Sequence, residues 1–167
     1  MRSRAHILGH PLHPMLVVFP LALLPVGVLF DALGFWTGDT FWHAAAFWMF
    51  TLGVVGAILA SIPGLVDYAF IVRNTSAERT GTLHMIFGFL TIAVFAIAAG
   101  LHWPPGNVPF GGGLLAAIVE GVGILLLVAQ GWWGGELVYR HRRGVTERGE
   151  ETEAGRAGRP ARGERPL

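Results

Sequence analysis

Seven histidines and a handful of acids stand out in a chain that is otherwise mostly apolar. His10 and His13 lie in "GHPLHPMLVVFP", residues 9–20, and each is followed by a proline. His84 and His102 are 18 residues apart. On an ideal helix that is five whole turns, so both would share one face about 27 Å apart. Imidazoles on facing helices at matching depth are what a haem b iron takes as axial ligands. Imidazole with carboxylate, here Asp67 and Glu136, instead suits Fe, Zn, Mn or Cu. The chain has no cysteine, which excludes disulfides, thiolate metal sites and iron–sulfur ligation.

These residues must be held by helices in a membrane. Hydrophobic residues make up 53% and charged residues 14%, against roughly 25% charged in soluble domains. Four apolar stretches run from Met15 to Trp36, Phe41 to Val66, Leu83 to Leu101 and Leu114 to Val138. Each approaches or exceeds the ~20 residues that cross a bilayer as a helix. The first contains Pro20 and Pro25 and ends without an A-x-A-like site, so it does not read as a cleaved signal. The basic residues are all arginine, 12 in number. Every one falls before the first span, between the second and third, or after the fourth. That places both termini on the cytoplasmic side. The expected fold is all-α: a four-helix transmembrane bundle with a disordered C-terminal tail, in a bacterial inner membrane.

The span order sorts the polar residues by depth. His10, His13, His84 and His141 fall in one layer at the arginine-bearing end, with Asp67 and Glu136. His43 and His102 form a second layer at the opposite end. His6 lies farther out on the N-terminal arm. Asp31 lies near the outer end of the first span, Glu120 two turns into the fourth, and Gln130 deeper. Ionisable groups at such depths are costly and each needs a reason. The inner layer suits haem b or a transition metal, held mainly by His13 and His84, with Glu136 or Asp67 orienting the imidazoles. The outer pair His43/His102 is a second candidate for haem.

Organisation is simple. Residues 1–143 form the membrane domain. Residues 144–167, "GVTERGEETEAGRAGRPARGERPL", alternate acid and arginine and cannot bury a core. Small residues recur four apart at Gly53/Ala57, Ala96/Gly100 and Gly113/Ala117/Gly121, a spacing that lets membrane helices approach. No nucleophile–base pair or nucleotide loop is present, so a hydrolase or ATPase is not expected, and nothing points to nucleic acid.

The motifs "HPLHPMLVVFPLALL", "GLVDY", the histidine opening the third span and "GELVYRHRRGV" together resemble a bacterial family of four-helix membrane proteins, domain of unknown function 2231. The resemblance covers about residues 8–145. Its pattern falls on His10, His13, Asp67, His84, Glu136 and His141, and it departs at Val18, where many members carry histidine. The resemblance implies redox surroundings, with Rieske-type or cytochrome partners. Three functions remain open: a haem- or metal-binding electron-transfer component; an accessory subunit without cofactor; and a small transporter or proton conduit using Glu120, Gln130 and Glu136. Self-association is open as well.

Overall fold

A computed structural model describes residues 3–103 and 113–144. The charged tail from residue 145 and the Pro/Gly-rich connection 104–112 lie outside the described residues.

Two short strands, β1 (His6–Ile7) and β2 (His10–Pro11), pair antiparallel ahead of the first helix. Four helices follow: α1 (Leu12–Thr37), α2 (Thr40–Ala69), α3 (Ser76–Leu101) and α4 (Gly113–Gly135). A π-helical turn, Glu136–Arg140, extends α4. All four helices are long and apolar enough to cross a membrane. The four expected spans are therefore present, each with polar extensions. The largest extension is at α3, which starts seven residues before its apolar run. Thr75 caps it by accepting the Glu78 backbone N–H, and Glu78 reaches back beyond the cap to the Asn74 N–H. The α1–α2 turn is closed by Gly38 at φ 73°, whose N–H bonds Gly34 O.

The bundle turns apolar side chains outward. Phe19, Leu29, Val55, Ile62, Ile97 and Leu125 are exposed, as a lipid-facing surface requires. Its buried centre is small: Leu24, Ala46, Phe50, Phe95 and Ala98.

The α1–α2 seam repeats every seven residues on α1. Gly34, Gly27, Pro20 and His13 meet His43, Phe50, Gly56 and Gly64 in turn. A seven-residue seam is that of a left-handed helix pair. At each level one partner is a glycine, so the backbones approach closely. The α3–α4 seam repeats this arrangement. Leu24 fills the space over Gly53, and Phe95 fills it over Gly123. His13 sits against Gly64, and His84 against Gly134. The counterparts are 71 residues apart on α1/α3 and 70 apart on α2/α4. The chain is thus two like helical hairpins, each starting and ending at the arginine-bearing end. Like halves of parallel topology are related by an axis along the bundle.

The small-residue stripes read from sequence divide. Gly53 is a packing position, whereas a Cβ at Gly100, Gly113 or Gly121 would meet nothing within 4 Å. The stripes at Ala96/Gly100 and Gly113/Ala117/Gly121 therefore do not form the contacts within this bundle. Spacing alone cannot say which face of a helix meets its neighbour.

Candidate functional site

The two hairpins bring His13 and His84 together at the arginine-bearing end. Their ring centroids are 6.0 Å apart and the planes are perpendicular, at 89°. The hairpin repeat orients both rings alike. His13 Nδ1 donates to Ala60 O at 2.7 Å, and His84 Nδ1 donates to Gln130 O at 3.0 Å. Each acceptor lies four residues before the glycine against which the ring packs. With Nδ1–H engaged, the neutral ring carries its lone pair on Nε2. A backbone carbonyl fixing Nδ1 in this way is the usual device for holding a ligating imidazole. Both rings line a cavity of about 740 Å³, within the roughly 300–1,000 Å³ of small-molecule and cofactor sites. Leu21, Leu24, Phe89 and Ile92 form part of its apolar wall, and Arg4 and Arg143 also line it.

The other residues of the inner layer share this depth but have other neighbours. His10 is exposed in the β1–β2 hairpin, with Nδ1 donating to Leu8 O. His141 Nε2 bonds the Thr80 hydroxyl at 3.2 Å. Glu136 pairs with Arg140 at 3.4 Å. Asp67 lines the cavity, but its carboxylate holds the N-terminal arm. It accepts from Ser3 Oγ at 2.7 and 2.9 Å, from Arg4 N at 2.7 Å and from Ala5 N at 3.1 Å. Val18, where a family histidine was expected, is 55% exposed on the outer surface of α1. A side chain there points away from the cavity.

The opposite end holds a second cluster, and it is larger than the sequence indicated. His43 Nδ1 lies 2.6 Å from Asp31 Oδ1, and His102 Nε2 lies 2.8 Å from the same oxygen. Glu120 Oε1 stands 3.6 Å from His102 Nε2. All four side chains are buried. The His43 and His102 rings are 6.4 Å apart, with a carboxylate oxygen of Asp31 bonded to both. Gly34 makes the space: a Cβ there would stand 2.6 Å from His43 Cε1. The sequence pairs His43 with His102 by depth but gives Asp31 and Glu120 no partner. The available signal was the tight turn at Gly38. Asp31 lies seven residues before it and His43 five after, which puts them at similar depth.

Between the two clusters lie Leu24, Phe50 and Phe95. Leu24 lines the inner cavity, and the Phe50 ring meets His102 at 5.5 Å. Glu120, Gln130 and Glu136 are spread along α4, ten and six residues apart, or about 15 and 9 Å.

The architecture is that of a four-span integral membrane protein with histidine clusters at both ends of its core. The model of the predicted membrane protein family DUF2231 matches residues 9–147, and the chain belongs to that family. No curated protein and no solved structure matches it.

Proposed function

We propose that this protein is a cofactor-binding electron-transfer component of the membrane, holding haem b between His13 and His84. One observation carries the reading: two imidazoles from equivalent positions of the two hairpins, each with Nδ1 tied to a carbonyl, face one cavity at a centroid spacing of 6.0 Å. A metal–nitrogen bond is about 2.0–2.1 Å. His13 and His84 are the residues that would hold such an ion, each through its Nε2. A cofactor on the axis between like halves meets both ligands equivalently. The apolar wall suits a macrocycle, and Arg4 and Arg143 are side chains of the kind that pair with its carboxylates. When bound, such a group supplies one-electron chemistry. The protein's own part is to hold the two nitrogens, exclude water and set the polarity around them.

The arginine distribution supports an orientation with this site toward the cytoplasm of a bacterial inner membrane. A Rieske-type or cytochrome partner is consistent with that reading. A single transition metal in place of haem would use the same nitrogens.

The test is the absorption spectrum and metal content of detergent-purified protein from cells supplied with iron and haem. A Soret band that shifts on reduction is expected, lost in His13→Ala and His84→Ala and kept in His6→Ala and His10→Ala. Stoichiometric metal without a Soret band, lost in the same two variants, would replace haem by a metal ion. A blank result in both measurements overturns the reading.

A further inference from the structure

We propose that Asp31, His43, His102 and Glu120 form a second, separate site for one divalent transition-metal ion of the zinc, manganese or iron class. It does not depend on the reading of the His13–His84 cavity.

His102 Nδ1 lies 2.8 Å from Ala98 O. A carbonyl can only accept, so Nδ1 carries hydrogen. That carbonyl is available because the His102 backbone N–H turns instead to Ala99 O. In the neutral ring, Nε2 is then a lone pair. Yet Nε2 faces Asp31 Oδ1 at 2.8 Å and Glu120 Oε1 at 3.6 Å. A lone pair and two carboxyl oxygens cannot converge unaided, so a proton or a cation must sit among them. Glu120 Oε1 is also buried without a hydrogen-bond partner, in a residue only 2% exposed. Its carboxyl and that of Asp31 both approach His102 Nε2. Two carboxylates this close and out of water require a cation or protons between them.

One divalent ion satisfies every group together. His102 Nε2, His43 Nδ1, an Asp31 oxygen and Glu120 Oε1 become four ligands. The two carboxylates balance the ion's charge. The His102 Nδ1–H to Ala98 O contact becomes the outer bond that fixes a ligating ring. Two imidazoles and two carboxylates suit zinc, manganese or ferrous iron. The candidate atoms of Asp31, His43 and His102 already lie within 4.8 Å of one another. Ligands around a tetrahedral ion are about 3.3 Å apart, so loading spreads the 2.6 and 2.8 Å Asp31 contacts by roughly 0.5–0.7 Å. Four ligands from four different helices would also tie α1, α2, α3 and α4 together at the end away from the arginines.

The experiment uses the full-length protein in detergent, stripped with chelator and titrated with Co²⁺, then with Zn²⁺ in competition. Wild type is expected to bind one Co²⁺ per chain, with visible bands of a four-coordinate site. His84→Ala should keep these bands, which separates this site from the other. His102→Ala should lose the bands. Glu120→Gln, nearly isosteric, should bind at least about tenfold more weakly and lose the metal-induced rise in Tm. If His102→Ala does not fold, Glu120→Gln and Asp31→Asn decide. Absence of stoichiometric binding of Co²⁺, Zn²⁺, Mn²⁺ or Fe²⁺ by the wild type overturns the proposal, and so does binding that Glu120→Gln and Asp31→Asn leave unchanged. The cluster would then be a hydrogen-bonded network holding protons alone.

Discussion

His13 and His84 are 71 residues apart in sequence, yet their rings stand perpendicular at 6.0 Å, each against a glycine of the neighbouring helix. A Cβ at Gly64 would lie 2.9 Å from His13 Nδ1, and one at Gly134 would lie 3.1 Å from His84 Cε1. Both intrude at the edge of the ring that bonds the carbonyl. Gly64→Ala and Gly134→Ala are therefore expected to weaken retention of the inner cofactor roughly tenfold, the effect of losing an orienting bond. Gly121→Ala, with nothing nearby and away from the cavity lining, should not. The cofactor-to-protein absorbance ratio after gel filtration measures this. Equal ratios in all three variants would contradict it.

The seam makes a second prediction, about stability. A Cβ at Gly27 would stand 2.5 Å from Phe50 Cε1, in the fully buried part of the core. Gly27→Ala should destabilise the protein by about 1–3 kcal/mol, the usual cost of overpacking. Gly100 lies within α3 with open space around it. Gly100→Ala should be neutral or stabilise by up to about 1 kcal/mol through helix propensity. Thermal unfolding in one detergent, followed by intrinsic fluorescence, compares the two. A Gly27→Ala variant as stable as wild type would mean that the helices separate without cost.

Orientation is the third prediction. Among the described residues, every arginine lies at the end of the bundle that also carries the N-terminal arm and the α2–α3 connection. A reporter active only outside the cytoplasm should be active when fused at Gly38 and inactive when fused after Gly144. The reverse pattern would turn the protein over and put the His13–His84 cavity on the other side.

The spans were legible in the sequence because apolar length alone decides them. The inner pair was legible because the same reading gives each residue a depth. Depth is a single coordinate, however, and says nothing about rotation about a helix axis. His10, His141 and Glu136 sit at the right level but bond Leu8, Thr80 and Arg140 instead. The outer cluster was legible only in part, as the pair His43 and His102. Asp31 and Glu120 were assigned to their helices without knowing that both turn toward His102. The hairpin repeat went unread because it is carried by glycines and contact positions, with little identity of side chain. His13/His84, Gly53/Gly123 and Gly64/Gly134 match, but Leu24 answers Phe95 and Asp31 answers His102. The N-terminal strand pair, two residues a side, leaves no alternating pattern to find.

The matched halves constrain how the two ends could have arisen. Two separate copies of one hairpin, meeting on an axis, can present the same histidine twice; the His13–His84 pair needs nothing more. They cannot present an aspartate from one copy and a histidine from the same position of the other. Asp31 opposite His102, with Glu120 where the first hairpin has Phe50, requires two hairpins of different sequence. The inner pair is what two identical hairpins on an axis would present, whereas the outer cluster depends on the difference between them.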